Sequence, residues 1–396
     1  MEDDAAMMRR LTAFLLTTSI TGGLTGAAVV HAAAHTSPPV GGGAWSARAA
    51  AAYLDYRQSW WESWPRSARD HGTVCVSCHT VLPYALARPS LGAALRDTAS
   101  TAAERKILAD VERRVAGWAE MQPYYGGPGK AESEQKAVES RGTESVLNAL
   151  ILAERDARAN RVNAGSRTAF ANMWALQLTS GRDAGAWSWL EFGLEPWEAS
   201  PSPYFGAALA AIAVGTEPGD YAASQAIQPN VARLRDYLRD NLDPSLMDRL
   251  HRRDNPALFK RAMLLWASTR LSGLISSGER LDIEHALFDA QRADGGWSLS
   301  SLGKWTRYDA TPFPTASDGY ATGLIAYALE QTGIDANEPH LARALNWLAQ
   351  NQDRTTGKWP AASLNKARDP DSDAANFMSD ASTAFAVLAL TNRSTP

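Results

Sequence analysis

A motif of glutamine, glycine and tryptophan recurs along the chain, and this recurrence limits the folds that the sequence can adopt. Gln177, Gln291 and Gln352 are each followed within about ten residues by a glycine and then a tryptophan. An aromatic residue shortly precedes each of them, as it also precedes Gln122. Successive glutamines are 55, 114 and 61 residues apart, so we expect a degenerate copy in the long gap, around residues 234–238. Such a period indicates stacked structural repeats, each ending in a glycine turn.

Each repeat also contains a helix-start signal followed by an apolar run. The signals are Thr143-Glu144, Ser202-Pro203, Asn255-Pro256, Ser317-Asp318 and Ser379-Asp380. The runs after them are apolar nearly all round, which is typical of helices buried on every side. Partner segments such as 103–122 and 342–350 carry regular charges and are predicted to be amphipathic outer helices. No comparable series of alternating strands appears, and the sequence predicts an all-α protein of about five to six helix pairs.

The repeat residues resemble those of a known superfamily. Gln291, Gly295, Gly296 and Trp297, with Trp347-Leu348, Gln352, Gly357 and Trp359, are similar to the Gln-Trp repeats of squalene-hopene and oxidosqualene cyclases, and more loosely to protein prenyltransferase β subunits. The resemblance covers about residues 105–392. It implies an α/α toroid whose inner helices surround a cavity, and an open solenoid is the alternative. We expect the glutamines and tryptophans to tie helix ends and cap turns.

The cyclase resemblance also implies a catalytic acid. Those cyclases use an Asp-x-Asp-Asp motif whose middle carboxylic acid protonates an alkene, and the nearest segment here is Asp369-Pro370-Asp371-Ser372-Asp373. Asp371 and Asp373 are candidate catalytic residues, although Ala374 departs from the motif. Other candidate acids are Asp309, Asp318, Glu191, Glu195 and Glu198, and all of these are equally explained as ordinary loop residues. The zinc site of the prenyltransferases lacks its cysteine, because no Cys follows Cys78.

The only two cysteines of the chain lie before the repeats, in Cys75-Val76-Ser77-Cys78-His79. This Cys-x-x-Cys-His segment matches the attachment site of c-type haem, in which two thioether bonds hold the porphyrin and the adjacent histidine ligates iron. Cys75, Cys78 and His79 are therefore predicted to bind haem c, with His79 as the proximal iron ligand. A redox disulfide, half of an intermolecular zinc site, and two helix thiols are the alternatives.

The surroundings of this segment supply further candidates. Trp60, Trp61 and Trp64 are expected to wall an apolar plane or simply to form an amphipathic helix, and Arg66 and Arg69 to pair with haem propionates. His71 and Met121 are candidate second iron ligands. A six-coordinate iron would carry electrons, whereas an open position would bind a small ligand.

The N-terminal segment has the pattern of an export signal. Arg9 and Arg10 precede an apolar stretch and then Ala32-Ala33-Ala34, which predicts a signal peptide over 1–34, or an uncleaved membrane anchor, and a flexible lead over 35–44. The formal net charge of -4 gives no basic excess, so nucleic acid is not an expected partner. We expect a periplasmic or otherwise exported protein, as haem attachment requires.

These patterns predict a helical haem-bearing segment over 45–100 and a terpenoid-cyclase-like toroid over 101–396. The expected function is a redox or haem-dependent role on or near an apolar ligand, with an electron-transfer partner. A terpenoid cyclase or isomerase using an Asp acid and a non-catalytic lipid or glycan binding module are the alternatives.

Overall fold

The computed structural model describes residues 45–126, 134–242, 257–370 and 372–392, which belong to one compact unit and form twelve α-helices without strands. The helices are α1 (Ala47–Ser63), α2 (Val81–Leu95), α3 (Ala102–Ala116), α4 (Glu134–Ala159), α5 (Ala164–Ala175), α6 (Pro203–Thr216), α7 (Gln228–Asp240), α8 (Ala257–Arg270), α9 (Ser277–Asp289), α10 (Gly319–Gln331), α11 (Pro339–Gln350) and α12 (Asn376–Thr391).

The helices alternate between two layers that close into a ring. The even-numbered helices form the inner layer, in which α2, α4, α6, α8, α10 and α12 each contact the next and α12 returns to α2. The odd-numbered helices pack outside them as the second layer. Since every pair runs from an outer to an inner helix, the inner helices all begin at the same face of the ring. The predicted α/α toroid is confirmed, with six helix pairs in the part of the chain that the structure describes.

The two layers follow from the side chains. Nearly every residue of the inner helices α6, α10 and α12 is buried, because these segments are apolar on all sides. The outer helices α7 and α11 bury only one apolar stripe each. The outer helices α3 and α9 begin with capping boxes, in which Thr101 pairs with Glu104 and Ser276 with Glu279.

The repeat glutamines tie each glycine turn to the next helix pair. The Nε2 atom of Gln291 donates to the carbonyl oxygens of Gly295, at 2.8 Å, and His340, at 2.7 Å, and His340 lies in the first turn of the next outer helix. Gln177 and Gln352 make the equivalent bonds. The indole nitrogens of Trp187, Trp297 and Trp359 donate to carbonyl oxygens of the preceding outer helix, and these three rings are fully buried. These residues are therefore structural.

The first glutamine differs from the others. The side chain of Gln122 is exposed, and the backbone carbonyl oxygen of this residue accepts a hydrogen bond from Arg114 at 2.7 Å. The buried Arg114 also pairs with Glu144 of α4 and donates to the Thr73 hydroxyl at 3.1 Å. An arginine thus joins this outer helix to its neighbours, whereas Gln177, Gln291 and Gln352 make the connection in their repeats.

Two of the predicted inner-helix starts agree with the structure. Pro203 begins α6, and Asp318 caps α10 by accepting from the backbone nitrogens of its first turn. The predicted starts at Thr143 and Ser379-Asp380 lie inside α4 and α12, which begin nine and three residues earlier. Their side chains have tertiary partners instead of capping roles, since the Thr143 hydroxyl accepts from the Leu190 amide at 2.9 Å. Residues 255–256 lie outside the described residues.

Residues 45–100 supply the first helix pair of the ring. Within it, α2 is an inner helix between α12 and α4, and α1 packs on α2 and α12. The sequence-based division placed this segment outside the toroid as an extension, whereas in the structure it closes the ring. The predicted signal peptide and lead, 1–34 and 35–44, lie outside the described residues. No helix in the described part of the chain is long and apolar enough to cross a membrane.

Candidate functional site

The Cys-x-x-Cys-His segment lies in the loop that connects α1 to α2, at the face where the inner helices begin. The Trp61 indole nitrogen donates to the Cys75 carbonyl oxygen at 2.9 Å, and the Cys75 amide donates to the Ser67 carbonyl at 2.8 Å. The Ser77 hydroxyl then accepts from the amides of Thr80 and Val81 and so caps α2. The loop is therefore held by its own short-range bonds.

Both cysteines are free and almost fully covered. Cys75 is 4% exposed and Cys78 is 3% exposed. Burial raises the pKa of Cys75 to about 11 and also raises the pKa of Cys78. Thiols that nucleophilic or redox sites use have lowered pKa values, because the thiolate is the reactive form. This environment therefore does not favour a redox role for the pair.

The His79 ring lies inside an aromatic enclosure. Phe377 stacks on it with ring centroids 3.9 Å apart, and Trp61 meets it edge-on at 4.9 Å. Trp197 approaches to 6.3 Å from the loop before α6. His79 is 8% exposed, and burial lowers its pKa to about 3. At neutral pH the ring is thus an uncharged imidazole, the form in which histidine binds a metal.

A chain of two hydrogen bonds determines which nitrogen of His79 carries the proton. The Thr80 hydroxyl donates to Oδ2 of Asp380 at 2.7 Å. Its oxygen is 2.7 Å from His79 Nδ1, and because the hydroxyl proton points to the carboxylate, Nδ1 must be the donor in that bond. The lone pair is consequently on Nε2, and no residue of the described ranges hydrogen-bonds to that atom.

Asp380 is the anchor of this chain. Its Oδ1 atom accepts from the Tyr53 hydroxyl and from Nε of Arg57, each at 2.8 Å. Arg57 is itself buried and also pairs with Asp373 at 2.9 Å. Burial raises the pKa of Asp380, and the Arg57 guanidinium opposes that rise. Three donors on one carboxyl group are the arrangement expected of an acceptor-only carboxylate.

The other predicted haem contacts lie elsewhere in the loop. Arg66 is exposed, and Nη1 of Arg69 donates to the carbonyl oxygens of Arg66 and Ala68 while its guanidinium lies 4.6 Å from the Tyr125 ring centre. His71 occupies a turn with φ of 54°, has a side chain 57% exposed, and pairs with Asp70 at 3.1 Å. Met121 is buried just after α3.

The predicted acids are dispersed. Asp371 lies outside the described residues, and the half-exposed Asp373 is paired with Arg57 rather than enclosed. Asp309 and Glu191 are exposed, and Asp309 accepts from Thr311 and Ala367. Asp318 serves as a helix cap, and burial raises its pKa to about 6. Glu198 is buried, and burial raises its pKa to about 7.

The ring interior is packed with aromatic side chains. Trp266 of α8 contacts Phe385 of α12 at 5.9 Å and Tyr327 of α10 at 5.5 Å, measured between ring centroids. Several inner helices also place buried polar atoms that lack a hydrogen-bond partner among the described residues, on Asn148, Tyr204, Trp266 and Ser382. Bound water or a ligand with polar groups would satisfy them.

A cavity of about 500 Å³ lies at the opposite end of α2 and α4 from the cysteines. Its lining includes Arg88, Asp97, Glu104, Ile107 and Arg155. Arg88 is already paired with Asp55 and Asp97, and Arg155 with Glu112 and Asp156. The cavity therefore has few uncommitted charges and no contact with the Cys-x-x-Cys-His loop.

Sequence reasoning missed Thr80, Asp380, Arg57 and Tyr53 as site residues. Asp380 was interpreted as a helix-start residue, and its partners lie about 300 positions away. A signal was nevertheless present, because a carboxylate inside an otherwise apolar helix needs a buried partner. Among the described residues, no cluster of three or more His, Cys, Asp and Glu side chains could hold a metal ion.

Several solved structures are similar to this chain. A polysaccharide lyase has a similar structure, with a TM-score of 0.49 and 12% sequence identity over 88% of this chain and 97% of the lyase chain. No protein-family model matches the sequence, and no curated protein matches it.

Proposed function

We propose that this chain is an exported haem protein in which Cys75 and Cys78 bind haem c covalently and His79 ligates its iron. The observation that carries the proposal is the state of His79. Its proton is directed to Thr80, so the lone pair of Nε2 is available within a segment that also holds the only two thiols of the chain. Haem-ligating histidines use one ring nitrogen for iron and the other for a fixed hydrogen bond.

The donor set fits such a group. Cys75 and Cys78 would each add a thiol S–H across a vinyl C=C bond, forming an S–C bond and placing the hydrogen on the other vinyl carbon, so no oxidant is needed. Trp61 and Phe377 would fix the His79 ring and exclude water from it. Bound haem supplies one-electron transfer or the binding of a small ligand.

Burial of the thiols gives the proposal a further requirement. Because Cys75 and Cys78 are covered in the folded ring, their addition to haem would have to precede packing of the loop against α12. Attachment to a newly exported, unfolded chain meets that requirement. Haem added to the folded haem-free protein is then expected to stay noncovalent.

We further propose an electron-transfer role with an unidentified redox partner. Either His71 or Met121 would complete the iron coordination after movement of the loop, or the second position would stay open. The pairing of His71 with Asp70 in an exposed turn makes Met121, which is buried, the better candidate. Its sulfur is a soft donor suited to haem iron.

The test is expression of the full chain with an export-linked haem-attachment system. We expect a pyridine haemochrome spectrum of the c type, haem staining that survives a denaturing gel, and an intact mass increased by one haem. Cys75→Ala with Cys78→Ala should abolish the stain, whereas Ser77→Ala, in the same loop, should keep it. Mature protein with an unchanged mass and two free or mutually bonded sulfurs would overturn the proposal.

A further inference from the structure

Asp380 is an exceptional residue in its helix. The neighbouring positions of α12, from Ala381 to Leu390, are nearly all small or apolar and buried. A buried carboxylate is costly unless donors surround it. The chain supplies these donors from α1, through Tyr53 and Arg57, and from Thr80 beside His79. The last helix therefore reaches the Cys-x-x-Cys-His loop through a fully bonded carboxylate, in addition to the Phe377 ring that stacks on His79.

Within the described ranges, the Thr80 side chain hydrogen-bonds only to that carboxylate and to the histidine. It occupies the position before α2, but its side chain makes no capping bond, because the Ser77 hydroxyl accepts the first amides of the helix. The Thr80 hydroxyl instead bridges His79 Nδ1 and Asp380 Oδ2, at 2.7 Å on each side. Helix capping therefore does not explain why a hydroxyl stands at this position.

We propose that Thr80 and Asp380 are positioning residues that fix His79 as the Nδ1–H tautomer and strengthen Nε2 as a donor to iron. The inference deepens the proposed haem function and rests on it for the role of Nε2. Arg57 and Tyr53 hold the carboxylate toward Thr80, so α1, α2 and α12 all contribute to the orientation of one ring. Outer hydrogen bonds of this kind orient a ligating histidine and raise its basicity.

The first measurement uses the full chain without haem. In the ¹⁵N spectrum of labelled protein at neutral pH, we expect the wild-type His79 ring to show a protonated Nδ1 and an unprotonated Nε2, with the signal assigned by its loss in His79→Gln. Thr80→Val keeps the shape of the side chain and leaves the Asp380–Arg57 pair in place, and it should shift the ring toward the Nε2–H tautomer. Thr80→Ser, which keeps the hydroxyl, should restore the wild-type spectrum.

The second measurement uses the haem-loaded protein. A more basic ligand stabilises oxidised iron, so Thr80→Val and Asp380→Asn should make reduction of the iron more favourable. We expect the one-electron equilibrium constant to rise about tenfold, which raises the reduction potential by about 59 mV. Tyr53→Phe removes a bond from Asp380 without breaking the chain to His79 and should change the potential by much less. If Asp380→Asn fails to fold, Thr80→Val carries the test.

The outcomes separate the two proposals. If the wild-type protein matures without haem, the proposed function is wrong. The tautomer measured in the haem-free protein then tests by itself whether Thr80 and Asp380 position His79. If the wild-type protein carries haem but Thr80→Val changes neither the His79 tautomer nor the reduction potential, this inference is overturned and the proposal of haem binding stands.

Discussion

The side chain of Gln352 hydrogen-bonds to the backbone of Ser46, 306 positions earlier in the chain. Its Nε2 atom donates to the Ser46 carbonyl oxygen at 3.1 Å, and its Oε1 atom accepts from the Ser46 amide at 2.6 Å. The same Nε2 donates to Gly357 at 2.8 Å. The glutamine of the last glycine turn thus holds the first helix pair, in the way that Gln291 holds α11. The toroid therefore closes through the same kind of bond that Gln177 and Gln291 make between consecutive helix pairs.

Replacement of Gln352 should loosen this closure. Gln352→Ala removes three hydrogen bonds from a nearly buried site, and we expect a loss of about 2 to 4 kcal/mol in the free energy of unfolding. Urea unfolding measures the loss, and amide hydrogen exchange should accelerate over Ala47–Ser63. Gln291→Ala, which breaks the equivalent bonds within the ring, is the matched control and should leave exchange in α1 unchanged. Equal exchange in both variants would argue against a closing role.

Removal of the first helix pair should prevent the remainder from folding. A fragment of residues 101–396 lacks α1 and α2, which pack on the apolar helix α12 and on the buried middle part of α4. We expect this fragment to aggregate or to lack fixed tertiary packing, whereas the chain of residues 45–396 should unfold cooperatively. Near-ultraviolet circular dichroism and size-exclusion chromatography distinguish these results. A monomeric, cooperatively unfolding fragment would show that the two segments are separate domains.

The glycine turn that follows Gln352 requires glycine for two reasons. Gly357 has φ of +81°, and a Cβ atom there would lie 2.2 Å from the Ala49 carbonyl oxygen. Gly333 has nearly the same φ, +86°, with nothing within 4 Å. Gly333→Ala should therefore lower the free energy of unfolding by about 1 to 2 kcal/mol, because of the backbone conformation alone. Gly357→Ala should lower it by clearly more, because the added Cβ also clashes with Ala49. Thermal unfolding of both variants tests this, and equal losses would refute the close packing of α1 on the turn.

Much of the ring could be predicted because the residues that mark each repeat lie close together in the sequence. A glutamine, a glycine with positive φ and a tryptophan recur at three turns, those of Gln177, Gln291 and Gln352, and Asp318 caps α10 within its own first turn. The first helix pair lacks that signature, because the loop before α2 carries the Cys-x-x-Cys-His segment where the loops before α6, α10 and α12 carry glycine and tryptophan. Its place in the ring therefore depends on tertiary contacts that no local pattern encodes.

The candidate site divides in the same way. Cys75, Cys78 and His79 lie within one short segment, and their spacing alone predicts a haem-attachment site. Asp380 and Arg57, by contrast, meet only because α12 returns to α1. Asp380 was interpreted as a helix-start residue, and Arg57 was given no role. The state of the His79 ring depends on this pairing, so it could not be predicted before the ring was known to close.

The buried carboxyl group of Glu198 should make stability depend on pH. Burial raises its pKa to about 7 from an ordinary value of 4.5, so the folded protein binds a proton more tightly than the unfolded chain. The stability from this proton is fully present below pH 4.5 and is lost as the pH rises through about 7. Glu198→Gln has no such loss, and its advantage over wild type should grow by about 3 kcal/mol between pH 5 and pH 8.

Urea unfolding of Glu198→Gln and wild type at several pH values measures that difference directly. Other groups that titrate in this range, such as Glu217, are present in both proteins and cancel in the comparison. Glu191→Gln, at an exposed position of the same loop, is the control and should follow the wild-type curve. If the difference in free energy of unfolding between Glu198→Gln and wild type is instead the same at every pH, then the Glu198 carboxyl is solvated and the enclosure beside Trp197 is open to water.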